Sequence, residues 1–243
     1  MRAHLESVTT RIGQLGEPSR ARSARCDKSS DLEFFAVRVP IIRRAVQHGF
    51  PFYSYSPTET LRIWTYIWRE SPYFEVKSAA LAFYRLQRLQ IQPDFFSTFS
   101  TWINQVENWA HCDGLAAIYS NLCHLRPTLI YPFLLELAES SSPWRKRAAI
   151  VSSFHYSGNL AIFLPPARMF RIIGRVCGDD NAYVARAVAW ALREVAKKEP
   201  LATLDFLSHH GGGFSKKTIS LTLSELRPLI PKTLLQNIPV SGV

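Results

Sequence analysis

The sequence lacks the features that mark membrane, secreted and metal-binding proteins. No stretch approaches the roughly 20 consecutive apolar residues of a membrane-spanning helix, and no hydrophobic signal core follows Met1. The four cysteines show no C-x-x-C spacing, and the seven histidines form no cluster with metal-ligand spacing. We therefore expect a cytoplasmic protein with reduced thiols, no metal, no cofactor and no membrane partner.

Strand signals are also scarce, because no clean alternation of apolar and polar residues runs between turn-forming pairs. The sequence HHGGG at 209–213 resembles the oxyanion loop of some esterases. That fold also requires a G-x-S-x-G nucleophile elbow, which the sequence does not contain. Residues 209–213 are therefore interpreted as a loop between two helices.

Basic residues are what the chain has in excess. It carries 29 lysines and arginines against 19 acidic residues, which gives a formal net charge of +10. Arginine supplies most of this charge, since eight of the basic residues are lysines. Such an excess is typical of proteins with a polyanionic partner, above all nucleic acid. With 243 residues, 47% of them hydrophobic, the chain is long enough to bury a substantial core.

Helical periodicity dominates the chain after an irregular N-terminal stretch. Residues 1–30 are rich in Ser, Arg and Gly and predict an N-terminal arm or degenerate first helices. Residues 31–243 are predicted to form a single repeat domain. Helices are predicted near 40–48, 57–69, 73–90, 95–106, 109–124, 128–139, 144–156, 166–176, 181–198, 201–208 and 216–226.

Three of these helical segments begin alike, with Ser or Asp, then an aromatic residue, then Lys or Arg followed by small residues. They are SPYFEVKSAALAFY from Ser71, SPWRKRAAIVSSF from Ser142 and DNAYVARAVAWALREVA from Asp180. Their small residues allow neighbouring helices to pack closely. The pattern indicates an internal repeat.

The spacing of the repeated basic residues gives the period. Lys77 and Arg147 are 70 positions apart, twice 35, Arg147 and Arg186 are 39 apart, and the helix at Asp113 fills the missing unit. A period of 35–40 residues with two helices per unit indicates an all-α fold, an α-solenoid of HEAT-like repeats. We expect the basic residues to recur on one concave wall and form a basic groove for a long ligand.

Trp109 and Asp113 form the first candidate site. They stand four positions apart, so both side chains lie on one face of a helix. One interpretation is a buried tryptophan beside an aspartate that caps or ion-pairs a neighbouring helix. The other is a cation-binding site, because ring faces and partly desolvated carboxylates both attract positive charge.

Arg145, Lys146 and Arg147 form a basic cluster at a predicted helix start. Cations at a helix N-terminus oppose the macrodipole, so helix stability does not explain them. Helix N-termini and guanidinium groups both bind phosphate. A phosphate site and a solvated basic face are the two interpretations that remain open.

Trp190 lies between Arg186 and Arg193, at i−4 and i+3 on a predicted helix. A lone tryptophan in an amphipathic helix is usually a core residue. Because arginines flank it on both sides, we predict that Trp190 lies at the edge of a charged groove.

Six segments resemble the DNA alkylation repair enzyme family of the AlkD type, in the same order and spacing over about residues 34–227. Three carry the principal motifs: NWAHCD (108–113), WRKRAAI (144–150) and AWALREVAK (189–197). The others are FFAVRVPIIRR (34–44), EVKSAAL (75–81) and FSKK (214–217). The resemblance implies HEAT-like repeats wrapped around duplex DNA, which agrees with the period of the repeat.

The resemblance also implies a function. Members of this family are monofunctional DNA glycosylases that remove cationic purines, N3-alkyladenine and N7-alkylguanine, from duplex DNA without flipping the base. The motif matches imply that Asp113, Trp109 and Trp190 line the catalytic cleft. They also imply that Arg147 and Arg193 contact phosphates, with Arg145 and Lys146 as further DNA-binding residues. We expect a monomer without a cofactor, whose partner is double-stranded DNA containing alkylated bases, in a bacterial cytoplasm.

The N-terminal end departs from the family pattern. The family usually has a tyrosine before an F-x-G-[V/I] segment, whereas this chain has Cys26 or Asp27 at that place and Ala36 instead of the glycine. Some relatives that have lost the tryptophan or the aspartate only bind DNA, so an inactive DNA-binding protein that recognises damaged or branched DNA is the alternative. A HEAT-type scaffold for an acidic peptide is a third hypothesis. Retention of Trp109 and Asp113 favours the enzyme.

Overall fold

The structure of the protein is a computed structural model that describes residues 1–87, 92–157 and 160–239. Helices make up most of these residues, and one two-stranded sheet accompanies them. The chain divides into two compact units, residues 1–125 and 126–243, which we describe in turn. The prediction of an all-α fold of helical repeats is confirmed.

The first unit has seven α-helices in its described residues. They are α1 (Arg2–Gly13), α2 (Ala21–Lys28), α3 (Val39–Gln47), α4 (Pro57–Glu70), α5 (Phe74–Leu86), α6 (Phe96–Trp102) and α7 (Trp109–Leu125). Helices α3, α5 and α7 pack side by side and form what we call the front layer of this unit. Helix α4 packs on α5 and on α6, behind that layer.

The second unit repeats this arrangement with seven further helices. They are α8 (Pro127–Glu139), α9 (Pro143–Val151), α10 (Pro166–Val176), α11 (Ala182–Ala196), α12 (Pro200–His210), α13 (Lys216–Leu226) and α14 (Lys232–Leu235). Helices α9, α11 and α13 form the front layer of this unit, and α8, α10 and α12 pack together as its back layer.

Local sequence explains where many of these helices begin. Proline favours the first turn of a helix, because its fixed φ suits the helix and its missing N–H is not needed there. Five helices begin with proline: α4, α8, α9, α10 and α12. Others begin after a side-chain cap. Asn181 accepts a hydrogen bond from the backbone N–H of Tyr183 at 2.9 Å, and Ser215 accepts one from Thr218 at 3.1 Å.

Hydrogen bonds between consecutive repeats confirm the period expected from the sequence. In the first unit, His111 is bonded to the carbonyl of Phe74, 37 residues away. In the second unit, Arg147 donates to the carbonyl of Tyr183, 36 residues away, and Lys217 donates to that of Asp180, 37 residues away. These separations lie within the predicted 35–40 residues. The single domain over 31–243 and the concave groove stay predictions.

Residues 1–30 were predicted to form either an N-terminal arm or degenerate first helices. The structure shows two α-helices there, α1 and α2. Val8 and Ile12 of α1 are fully buried, and α1 packs against α3, α4 and α5. Arg11 fixes this contact by donating a hydrogen bond to the carbonyl of Gly49 at 2.5 Å. Helix α1 is therefore part of the core of the first unit.

A β-hairpin corrects the predicted helix at 144–156. Helix α9 ends at Val151, and strand β1 (Phe154–Ser157) pairs antiparallel with β2 (Leu160–Phe163). The hydroxyls of Ser152 and Ser153 bond back to the carbonyls of Ala148 and Ile150, both at 2.6 Å. Such local bonds compete with helix continuation, and the aromatic and β-branched residues that follow favour strands.

Other boundaries differ from the prediction by smaller amounts. The helix predicted at 73–90 is observed as α5, and its residues 88–90 lie outside the described residues. The helix predicted at 95–106 is a shorter α6 between two 3₁₀ turns. In the described part of the chain, none of the helices combines the length and the apolar character of a membrane span.

The loop before α3 keeps the backbone conformation that the family's glycine would favour. Ala36 occupies that position with φ of +59°, in the left-handed region that side chains with a Cβ disfavour. The buried Glu75 accepts hydrogen bonds from the backbone N–H groups on both sides, those of Phe35 at 3.0 Å and Val37 at 3.3 Å. These bonds hold the loop in place against the strain at Ala36.

We predict that Ala36→Gly stabilises the protein. Glycine removes the cost of holding a residue with a Cβ in the left-handed conformation, about 1–2 kcal/mol. The greater conformational entropy of glycine in the unfolded state offsets about 0.5–1 kcal/mol of this gain. Ala202→Gly within α12 is the matched control and should cost about 1 kcal/mol. Urea unfolding measures both, and an Ala36→Gly variant that loses as much stability as the control would contradict the strain.

Candidate nucleic-acid interface

Burial separates the six tryptophans into two groups, and all six lie among the described residues. Trp64, Trp68 and Trp102 are fully buried in the core of the first unit. The other three remain partly exposed: Trp109, Trp144 and Trp190. The two tryptophans selected from the sequence therefore belong to the partly exposed group, and Trp144 at the start of α9 joins them.

Trp109 and Asp113 lie one turn apart at the start of α7, and both are half-buried. The cap of this helix is Asn108, whose side-chain oxygen accepts the backbone N–H of His111 at 2.9 Å. Asn108 therefore caps α7 itself, and a cap or ion pair of Asp113 with a neighbouring helix stays a prediction. Asp113 is a partly exposed carboxylate one helical turn after Trp109.

The surroundings of Asp113 in the first unit are basic. Arg85 of α5 is close enough to interact with its carboxylate, and Arg43 of α3 interacts with Arg85 in turn. Burial and the neighbouring Arg43 lower the pKa of Arg85, while the negative charge of Asp113 opposes this. Asp113 therefore lies near positive charge contributed by α5 and α3.

His111 stands between Trp109 and Asp113 in sequence but faces the core. Its ring stacks on Phe74 with centroids 4.3 Å apart, and its nitrogens are bonded to Asn108, Ser78 and the Phe74 carbonyl at 3.0–3.1 Å. Burial lowers the pKa of His111 to about 3, so the ring is neutral at physiological pH. It cannot serve as a general acid.

The N-terminal segment supplies a contact that the sequence did not predict. The ammonium of Lys28, at the end of α2, lies 4.3 Å from the centroid of the Trp109 ring. The indole N–H of Trp109 donates to the carbonyl of Asp27 at 3.2 Å. Both Asp27 and Lys28 belong to the stretch in which the sequence departs from the family pattern, with Cys26 or Asp27 at the position of the usual tyrosine, and that departure was the signal available from the sequence. In this structure a cation already occupies one face of the Trp109 ring.

Glu107 binds the residues that follow α2 to the start of α7 through hydrogen bonds. Its carboxylate accepts hydrogen bonds from the Ser30 hydroxyl at 2.6 Å and from the backbone N–H of Asp31 at 2.8 Å. These bonds join residues 77 and 76 positions apart in the chain. The placement of Lys28 over Trp109 is therefore supported from both sides of the contact.

In the second unit, the basic cluster at the start of α9 divides by burial. Arg147 is 7% exposed, and its guanidinium donates to the carbonyl of Tyr183 at 2.8 Å. Arg145 and Lys146 are partly exposed. Trp144 packs on Tyr183 with ring centroids 4.8 Å apart. The phosphate role of these residues stays a prediction, and Arg147 has a structural role in addition.

The starts of α9, α11 and α13 meet at one edge of the front layer, which we call the helix-start edge. Lys146 forms an ion pair of 2.6 Å with Asp179, just before α11. Ser215, just before α13, donates to the carbonyl of Asp179 at 3.1 Å, and Lys217 donates to that of Asp180 at 2.8 Å. Three helix N-termini and several cations thus lie together, a combination that suits phosphates.

Trp190 and Arg193 lie on α11 with different surroundings. Trp190 packs edge-to-face on Phe154 of the hairpin, with centroids 4.7 Å apart, and keeps a partly exposed ring. Arg193 pairs with Glu194 at 2.9 Å and with Glu225 at 2.6 Å. Burial by itself lowers the pKa of Arg193, but the hydrogen bonds to Glu194 and Glu225 outweigh this effect and raise the pKa above its ordinary value. Its charge is therefore largely engaged within the protein.

Only part of the repeated basic pattern faces solvent. Arg186 is exposed, as expected for a groove wall. Lys77 is 4% exposed and donates to the carbonyl of Trp68 at 2.5 Å, which corrects the expectation that it lines the wall. Burial lowers the pKa of Lys77 to about 8. Lys77 thus binds a backbone carbonyl, as Arg147 does at the corresponding front-layer position.

The described residues contain no group of three or more His, Cys, Asp or Glu side chains arranged to hold a metal ion. The candidate site in the first unit consists of an aromatic ring, a carboxylate and nearby arginines. The second unit contains the helix-start edge with its basic residues and two partly exposed tryptophans. These groups can bind polyanions and stabilise a positive charge.

Comparison with known proteins identifies what this chain resembles. The family model of the DNA alkylation repair enzymes matches residues 8–223. The fold is similar to a predicted DNA alkylation repair enzyme from Enterococcus faecalis, with a TM-score of 0.72 and 14% identity over 87% of this chain and 97% of that one. It is also similar to AlkD2 from Streptococcus mutans, with a TM-score of 0.57 and 17% identity over 78% and 89%. Comparison with curated proteins gives no significant match.

We predict a pH-dependent contribution from the ion pair between Lys146 and Asp179. Burial by itself raises the pKa of Asp179, but hydrogen bonds from Lys146 and the Asn181 backbone outweigh this effect and lower the pKa below its ordinary value. A lowered folded-state pKa gives stability that is present above the unfolded pKa of about 3.9 and is lost as the pH falls through the folded value. Asp179→Asn should therefore cost about 1–3 kcal/mol at pH 7 and progressively less below pH 4.

Urea unfolding at pH 7 and at pH 3 measures this difference. The exposed neighbour Asp180 provides the matched control, since Asp180→Asn removes a carboxylate that lies outside the ion pair. An Asp179→Asn penalty of equal size at both pH values would mean that the carboxylate's charge is not what stabilises the edge.

Proposed function

Because the chain belongs to the DNA alkylation repair enzyme family, we propose that it is a monofunctional DNA glycosylase. Its substrates are N3-alkyladenine and N7-alkylguanine in duplex DNA, and it acts without flipping the base. The observation that carries the proposal is the retained pair of Trp109 and Asp113, half-buried and one turn apart. A role in DNA repair follows from the family itself.

The proposed chemistry needs no general acid, because the substrate brings its own charge. An N3- or N7-alkylated purine is cationic, so the electron pair of the glycosidic bond neutralises it as it leaves. The sugar meanwhile becomes oxocarbenium-like, as in other glycoside hydrolyses. Water then adds to C1′ and releases a proton to Asp113 or to solvent. The neutral, buried His111 beside Asp113 in the sequence is consistent with a reaction that requires no acid.

Asp113 and the tryptophans have separate roles in this reaction. The carboxylate of Asp113 stabilises the positive charge that develops on the sugar and orients the attacking water. Trp109 and Trp190 pack on deoxyribose, and their ring faces favour the same charge. Arg85 lies close enough to Asp113 to interact with its carboxylate.

Phosphate binding is assigned to cations of the second unit. Arg145 and Lys146 lie at the helix-start edge, together with the exposed Lys216 and Lys217. There the N-termini of three helices add positive potential. Arg147 and Arg193 are proposed as further contacts, and each would have to share its present bonds to Tyr183 or to Glu194 and Glu225. Phosphate contacts should make binding strongly dependent on salt.

One observation favours a second candidate function. The ammonium of Lys28 occupies a face of the Trp109 ring, held there by the segment that departs from the family pattern. If Lys28 keeps that place when DNA binds, the ring is not available to the sugar. The protein would then recognise damaged DNA without hydrolysing it.

We predict that Asp113→Asn lowers the release of 7-methylguanine from methylated duplex DNA by about 10²–10³-fold, the usual effect of removing a preorganised charge-stabilising group. DNA affinity should be unchanged or higher, since a negative charge is removed. The exposed Asp94 offers the matched control, and Asp94→Asn should retain wild-type release. Tight DNA binding by the wild type with no base release would favour the second candidate.

We predict that Lys216→Ala weakens DNA binding and makes the dependence of log Kd on log salt shallower by about one unit, as expected for the loss of one phosphate contact. Lys232 provides the matched control, because it too is an exposed lysine at the first position of a helix. Titration of labelled duplex DNA at several salt concentrations measures both variants. Equal slopes for Lys216→Ala and wild type would mean that Lys216 does not contact a phosphate of the bound DNA.

A further inference from the structure

An aromatic residue precedes each of the repeated basic residues by three positions. The pairs are Phe74 and Lys77, Trp144 and Arg147, and Tyr183 and Arg186. The three rings therefore lie at the starts of the front-layer helices α5, α9 and α11. The proposed glycosylase reaction uses none of them, although Trp144 and Tyr183 both lie at the helix-start edge of the second unit.

In the first unit the ring at this position is enclosed by other rings. Phe74 stacks on Phe34 with centroids 4.6 Å apart and on His111 with centroids 4.3 Å apart, and the planes are nearly parallel in both contacts, at 15°. Phe74 is 7% exposed. The ring of Phe74 is therefore a core residue of the first unit.

In the second unit the two rings at this position are more open. The centroids of Trp144 and Tyr183 are 4.8 Å apart, and their planes are inclined to each other by 42°. Because the planes are inclined, neither ring covers the whole face of the other. Both side chains are partly exposed. The same repeat position that is packed into the core in the first unit thus presents aromatic surface to solvent in the second.

The ring of Tyr183 is held in place through its backbone. Its N–H donates a hydrogen bond to the side chain of Asn181 at 2.9 Å, and its carbonyl accepts one from Arg147 at 2.8 Å. Trp144 lies in the first turn of α9 and packs on Tyr183. Groups that are already ordered lose little conformational entropy when they bind a ligand. The aromatic pair is therefore preorganised.

Guanidinium groups accompany the two rings. Arg145 directly follows Trp144 and is partly exposed, and Arg186 follows Tyr183 by three positions and is exposed. Proteins bind single-stranded nucleic acid with this combination, because bases stack on aromatic rings while cations bind the sugar-phosphate backbone. Inside a duplex the neighbouring base pairs cover both faces of each base. A protein ring can therefore stack only on a base that has left the helix.

We propose that Trp144 and Tyr183 form a stacking site for one unpaired base of the bound DNA. The base lies against the exposed part of these rings, and Arg145 and Arg186 bind the backbone of the same nucleotide. The protein consequently prefers DNA with an unpaired nucleotide to a perfect duplex. The site rests on the proposed DNA binding, but it does not depend on base release at Asp113.

Binding of two undamaged duplexes to the full chain tests this site. One duplex carries a single extra 2-aminopurine nucleotide as a bulge, and the other is perfectly paired. We expect the wild type to bind the bulged duplex about 5–100-fold more tightly, the usual effect of stacking one base on an aromatic ring. The fluorescence of the 2-aminopurine should be quenched on binding. Trp144→Leu and Tyr183→Leu should each reduce both the preference and the quenching, and Trp144→Phe should retain most of both.

Two controls separate stacking from other effects. Phe170→Leu is the matched variant, because Phe170 is a partly exposed ring of the same unit that stacks on Phe206 in the back layer, with centroids 4.5 Å apart. It should keep the wild-type preference. The second control is a duplex whose bulged nucleotide lacks a base, since it keeps the distortion of the helix and removes the stacking partner. It should bind like the perfect duplex.

Three results would overturn the stacking site. The first is equal affinity of the wild type for the bulged and the perfect duplex. The second is an undiminished preference in Trp144→Leu. The third is equally tight binding of the bulges with and without a base, which would mean that the protein recognises the distortion of the helix. Each of these leaves the proposed glycosylase activity standing, whereas failure to bind either duplex would overturn both proposals.

Discussion

Hydrogen bonds between consecutive repeats hold the starts of the front-layer helices in register. Each bond joins a side chain near one helix start to the backbone about 36 residues away, as Arg147 does to Tyr183 and His111 to Phe74. Buried polar groups need such partners, because an unpaired one costs about 1–3 kcal/mol. Within each unit the same bonds bring helix N-termini together, where the backbone itself can attract phosphate. Repeat stability and the proposed DNA recognition therefore depend on the same positions.

Because some of the cations are used in contacts within the protein, the net charge of +10 is only partly available to bind a ligand. Lys77 is buried beneath the front layer, and Arg193 is engaged by two carboxylates. Cations that remain exposed, such as Arg186 and Lys216, can exchange water for phosphate at little cost. The proposed catalytic pair lies at another front-layer start, where the N-terminal segment brings Lys28 against Trp109. Access to that ring therefore depends on a segment outside the repeats.

The sequence was informative where a periodic pattern governs the structure. The repeat spacing predicted the helical layers, and the combination of ring, carboxylate and arginine selected Trp109 and Trp190 from six tryptophans. It was less informative where tertiary contacts decide. Nothing local distinguishes the buried Lys77 from the exposed Arg186, because burial depends on which carbonyl a neighbouring helix presents. The contact of Lys28 with Trp109 joins residues 81 positions apart in sequence, and no short-range pattern reports it.

In the reaction that we propose, the positive charge of the lesion takes the place of a general acid. The most direct test is single-turnover base release from two otherwise identical duplexes, one with a single N7-methylguanine and one with a neutral lesion such as O6-methylguanine. We expect release of the cationic purine well above its spontaneous rate and no release of the neutral one. Equal release of both bases, or release of neither, would rule out this role of the lesion's charge.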